Sequence, residues 1–127
     1  MFNPDAVGKS RKSSTTFKVT QESISNFAHA IGESEVINSP VTYSIMISLG
    51  PSQTLLEDNG LDWTRVVHGD QKFQNNRPLH AGDEVTCTST IESYRAVAGN
   101  EIVTVRTDLH CGAELAQVQW TTLVVRG

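Results

Sequence analysis

The sequence has 127 residues, 38% hydrophobic and 6% aromatic, and a formal net charge of −4. That length suits one domain able to bury roughly two-thirds of its unfolded surface, which excludes a second independent core. No apolar run approaches the ~20 residues of a membrane span, and the acidic balance lacks the basic face of a nucleic-acid binder, so neither a membrane nor a nucleic acid is expected as a partner.

Residues 1–14 are polar, carry no apolar signal-peptide core, and are expected to be poorly ordered unless docked. The folded domain is assigned to residues 15–127. Residues 15–19 alternate β-formers with polar side chains, as in a short strand. Thr20 stands where a helix N-cap belongs, and Ile24, Phe27, Ala28 and Ile31 fall on one helical face before Gly32 stops the helix. Glu33 to Pro40 reads as a polar loop. Val41 to Ile47 suits either a buried strand or the start of a helix, because periodicity does not separate the two. Pro51 to Asp58 is expected to form one or two helical turns before the Asn59-Gly60 turn.

From Val66 the pattern changes. Val66 to Asn75, Glu84 to Tyr94, Ile102 to Cys111 and Leu115 to Arg126 read as strands rich in Val, Ile and Thr, separated by Gly-containing turns. In the last of them Ala116, Val118, Trp120, Thr122 and Val124 share one face, with Leu115, Gln117, Gln119, Thr121 and Leu123 on the other. Short turns favour an antiparallel meander. The expected class is α+β, a helix supplying the second half of the core against a curved antiparallel sheet.

Few residues announce chemistry. Gly8-Lys9-Ser10 lacks the upstream glycine of a phosphate-binding loop, since Asn3 stands in its place. Cys87 and Cys111 lack zinc-ligand spacing and are expected as reduced thiols in a cytoplasmic protein. No metal or other cofactor is expected. His68 and Asp70 are two apart, on one face of a strand, and Gly69 between them permits close backbone approach. They are either a general base with its orienting carboxylate or, the favoured reading, a polar outer face opposite Val67, Gln71 and Phe73. His29 is expected in solvent, while His80 and His110 show no partner. Trp63 and Trp120 suit packing. Arg77 is either an anion contact, for instance to a phosphopantetheine phosphate, or, more in keeping with its surroundings, a salt-bridge residue or a solvated charge.

Taken in order, several segments resemble one family. They are Thr20-Gln21-Glu22, Phe27 to Gly32, Ser39 to Tyr43, Gly60 to Phe73 and Arg77 to Asp83. Together they resemble the MaoC-type dehydratases, and within them the FAS1-like dehydratase branch, over about Val7 to Arg126. The resemblance implies a hot-dog fold, a curved antiparallel sheet wrapped on a helix, with the central helix here shortened to Pro51–Asp58. Members hydrate trans-2-enoyl thioesters or dehydrate (3R)-hydroxyacyl thioesters carried on coenzyme A or acyl carrier protein.

Active members carry Gly-Asp-x-Asn-Pro-(aliphatic)-His, whose Asp and His activate the water that adds to the enoyl group. Here Gly32 to Asn38 aligns without a gap, putting Glu33 at the Asp position and Asn38 at the His position. Asn has no titratable proton for acid–base work, and the longer Glu displaces its carboxylate, so no intact catalytic residue is expected. The resemblance then implies a non-catalytic subunit that shapes an acyl channel beside a second hot-dog subunit carrying Asp and His. The alternative is a homodimeric thioester-binding module without dehydratase activity. The residues expected to contact substrate are Pro40, Thr42, Tyr43, His68, Gly69, Gln71 and Arg77.

Overall fold

Among the described residues, alternating β-branched residues and short turns build one six-stranded antiparallel sheet, and two α-helices lie on it. The structure is a computed structural model that describes residues 2–13, 16–33 and 39–127. The strands are β1 (Ser10–Lys12), β2 (Phe17–Lys18), β3 (Val66–Asn75), β4 (Glu84–Val97), β5 (Asn100–Cys111) and β6 (Glu114–Val125), and the helices are α1 (Gln21–Ala30) and α2 (Ile45–Asp58). The spatial order is β1-β4-β5-β6-β3, with β2 also on β4. β3 pairs with β6 along one side, and among the described residues nothing pairs with its other side.

The helix-facing side of the sheet carries two apolar clusters. One joins Phe2, Leu55, Leu56, Ile91, Val103, Val105 and Leu123. The other joins Ile24, Tyr43, Ile47, Leu79, Val85, Cys87 and Leu109. Between them a polar row crosses the strands, because Ser89 faces Thr107 and Thr107 faces Gln119. All three are buried, and the Ser89 and Thr107 hydroxyls lie 3.2 Å apart.

The leading segment is docked. Phe2 and Ala6 are buried in the first cluster, β1 pairs with β4, and Gly8 N–H donates to the Ile91 carbonyl at 2.8 Å. α1 begins as its sequence implies, with Thr20 Oγ1 accepting from Ser23 N–H at 3.1 Å. Ile31 departs from the expected stripe: the helix ends at Ala30, and the Ile31 side chain is half exposed. We expect Thr20→Ala to destabilise the fold by about 1 kcal/mol, read as a lowered thermal midpoint.

α2 corrects the expectation of a shortened central helix. It starts at Ile45 rather than Pro51, runs for 14 residues, and is preceded by a 3-10 turn over Val41–Ser44. Pro51 sits inside it, and lacking an N–H it leaves the Ile47 carbonyl without its helical donor. Cys87 Sγ donates to that carbonyl at 3.9 Å. Burial of Ile47 and Ser48 against the sheet holds the first turns in place despite the proline.

Among the described residues the strand ladders slip register at three places, one of them between Ile91 and Ser93 of β4. A register shift between Leu109 and His110 turns Ala116 into the helix-facing cluster, away from the face it was expected to share with Val118. The third shift lies at the candidate site, in β3.

Candidate functional site

β3 carries an extra residue at Gly69. His68 faces Leu123, but Asp70 faces Thr122, so the register slips by one between them. A bulge reverses side-chain alternation. His68 therefore joins Gln71 on the helix-facing side, and Asp70 turns to the other side. This overturns the expectation that His68 and Asp70 share a face opposite Gln71, while His68 stays exposed, as the favoured reading has it. Glycine suits the position because a Cβ would lie 3.3 Å from Val124 Cγ2 and 3.4 Å from the Thr122 carbonyl oxygen.

His68 Nε2 lies 3.1 Å from the Asp70 carbonyl oxygen and 3.1 Å from Gln71 Oε1. Both are acceptors, so this nitrogen carries the proton. The ring is thus held by the backbone of Asp70 and not by its carboxylate, and the two do not form a base with its orienting acid.

From His68 a hydrogen-bonded chain runs inward. Thr121 Oγ1 donates to Gln71 Oε1 at 2.7 Å, and Gln71 Nε2 donates to Gln119 Oε1 at 3.1 Å. Ser48 Oγ donates to the same Gln119 oxygen at 3.0 Å, while Gln119 Nε2 donates to Ser44 Oγ at 2.8 Å. Gln119 is 1% exposed, so these bonds replace water that its amide gave up on folding. A cavity of about 80 Å³ lies against this chain between α2 and the sheet. Ser48, Gln71 and Gln119 line one part of it and Leu56, Val105 and Leu123 another.

Of the residues expected to contact substrate, His68 and Gln71 line this cavity; Pro40, Thr42, Tyr43, Gly69 and Arg77 do not. Tyr43 is fully buried, its hydroxyl 2.6 Å from Ser23 Oγ and its ring edge-on to Phe27. Thr42 is exposed and Pro40 half-buried. Glu33 is exposed, and its N–H donates to the Ala28 carbonyl at 2.8 Å. Asn38 lies outside the described residues.

Arg77 is taken up by carboxylates. It donates to Asp83 at 2.9 and 3.2 Å and to Glu114 at 3.1 Å. Donating to the Asp83 carboxylate raises the guanidinium's pKa further above its ordinary value. Burial alone would raise the Asp83 carboxyl, but the Arg77 hydrogen bond and the His80 N–H outweigh it and hold the group below its usual range. Cys87 is pushed up to about 12 by burial, so its thiol stays protonated. Trp63 lines the cavity, while Trp120 lies under the Arg106 guanidinium and donates to Glu92.

The residues that sequence reasoning missed are Ser44, Ser48 and Gln119. Gln119 left a trace, an amide on the same strand face as Leu123. Its partners are 75 and 71 residues away in sequence, which no local pattern connects.

A long helix lying across a curved antiparallel sheet is a hot-dog fold. The chain superposes on the C-terminally truncated HadBC (3R-hydroxyacyl-ACP dehydratase) complex of Mycobacterium tuberculosis with a TM-score of 0.85 at 21% identity, over 94% of this chain and 97% of that one. HtdX of the same organism gives 0.83 at 17% identity, over 93% of this chain and 51% of HtdX. The ChsH1–ChsH2 complex, also from that organism, gives 0.65 at 18% identity, over 93% and 83%.

In sequence, the family model "FAS1-like, dehydratase domain region" matches residues 34–113, and the chain belongs to that family. An UPF0336 protein of Streptomyces coelicolor is 37% identical over 94% of this chain and 92% of its own. One of Thermobifida fusca is 37% identical over 99% and 95%.

Proposed function

We propose that the chain is the non-catalytic, acyl-channel-forming subunit of a (3R)-hydroxyacyl thioester dehydratase. Its partner is a second hot-dog subunit that supplies the Asp and His. The observation that carries this reading is the substitution at Gly32 to Asn38, where Glu33 and Asn38 occupy the dyad positions. The bulge supports it by separating His68 from Asp70, the acid–base pair that the sequence offered as a relocated site.

The sheet supports a partner. β3 presents ten residues of edge with no strand beyond it among the described residues, and such an edge invites continuation by another sheet. Met46 and Leu49 of α2 and Val67 of β3 are each about half exposed, apolar surface that a partner would cover. HadBC and ChsH1–ChsH2, both named as complexes, share the fold.

The test is hydration of crotonyl thioesters, on coenzyme A and on acyl carrier protein, by the purified chain alone and after co-purification with the dyad-bearing subunit. The isolated chain should give only background turnover. The mixture should exceed it by at least about a hundredfold, as expected when a positioned acid–base pair is supplied. Full activity in the pure chain would overturn the assignment. A homodimer that binds thioesters, yet stays inactive with the dyad-bearing subunit, would make it a binding module instead.

A further inference from the structure

We propose that Gln119, held by Ser44, Ser48 and Gln71, limits this subunit to short acyl groups, so that the assembled enzyme prefers thioesters of about four to six carbons. This rests on the reading as a dehydratase subunit and names its substrate class.

The cavity holds about 80 Å³. At ~15–30 Å³ for each water-sized group, it accommodates only roughly three to five such groups. His68 and Gln71 belong to the edge strand β3, so the cavity lies against the edge that the partner is proposed to extend.

Two directions deeper into the subunit meet buried side chains. Towards the N-terminal turn of α2 a longer chain meets Gln119, then Thr107 and Ser89 in the row behind it, all buried. Displacing the Gln119 amide would leave Ser44, Ser48 and Gln71 without the bonds they make to it. Unpaired buried polar groups cost more than the burial of the few methylenes that replaced them returns. Towards the C-terminal end of α2 the chain meets Leu56, Val105 and Leu123, packed with Phe2, Ile91 and Val103 in the first cluster. A close-packed interior yields little room without strain.

The experiment is a chain-length series of trans-2-enoyl-coenzyme A substrates, from crotonyl through hexenoyl and octenoyl to dodecenoyl. Each is assayed on the complex of the full chain with the dyad-bearing subunit. We expect kcat/KM for dodecenoyl to fall at least about tenfold below that for hexenoyl. Gln119→Ala should raise the dodecenoyl-to-hexenoyl ratio several-fold, and Ser48→Ala, the milder change, should raise it in the same direction. Loss of folded enzyme alone lowers both rates together and leaves that ratio where it was. Equal efficiency on dodecenoyl and hexenoyl, or a ratio unmoved by both variants, overturns the length limit and leaves the dehydratase reading intact. No turnover of any chain overturns both.

Discussion

Tyr43→Ala is expected to destabilise the protein by about 4 kcal/mol, lowering its thermal midpoint by about 15 °C. Tyr43 is 0% exposed and sits in the cluster that joins α1 to the sheet, with Ile24, Ile47 and Leu79 around it. Its ring meets Phe27 edge-on at 5.7 Å between centroids, so truncation removes an aromatic pair as well as buried area. Tyr43→Phe keeps the ring and loses only the 2.6 Å bond to Ser23, at about 1 kcal/mol. The pair of variants also decides the role of the residue. A packing role predicts that Tyr43→Phe leaves turnover of the assembled complex near wild type. A fall of more than about tenfold in kcat/KM with an unchanged melting curve would instead assign the hydroxyl to the substrate.

Tyr43 also shows what can be read from sequence and what is hidden. The segment from Val41 to Ile47 suits a strand or a helix equally. What decides in favour of a 3-10 turn and α2 is burial of Tyr43, Ile47 and Ser48 against strands about forty or more residues away. Pro51 misleads in the same way: a proline marks a first helical turn by local rule, yet here tertiary packing extends the helix back to Ile45. The four long strands and the Thr20 cap were legible because their signals are local: β-branched runs between glycine turns, and a hydroxyl ahead of an amphipathic stripe.

The bulge at Gly69 was not legible. A lone glycine in a strand signals a bulge or a close approach, and here it is both. Only the register against β6 reveals that His68 joins the helix-facing side of the sheet, still exposed, and Asp70 the other side. The polar chain from His68 to Ser44 exists because of that one extra residue, so the bulge shapes the cavity as much as any side chain lining it.

The last expected result concerns Arg77. Its pairing was one of two readings open in the sequence, and the structure places the guanidinium between Asp83 and Glu114. Asp83 is 9% exposed, so Arg77→Met leaves a buried carboxylate facing no guanidinium, at about 2–3 kcal/mol at neutral pH. Adding Asp83→Asn should recover about half of that, since an amide oxygen can still accept from His80 N–H while no charge remains buried. The pH dependence follows from the sign of the shift. In the wild type the folded Asp83 carboxyl lies below its unfolded value of about 3.9, so its contribution is fully present above that pH. It is lost as pH falls through the lower folded value. In Arg77→Met the burial that favours protonation is opposed by His80 alone, through its N–H and through its ring 3.6 Å from the carboxylate, and the variant's deficit should shrink as pH falls from 7 towards 4. Denaturant midpoints of both proteins across that range measure the difference. A deficit constant with pH would mean that Arg77 stabilises through the packing of its aliphatic stem and not through Asp83.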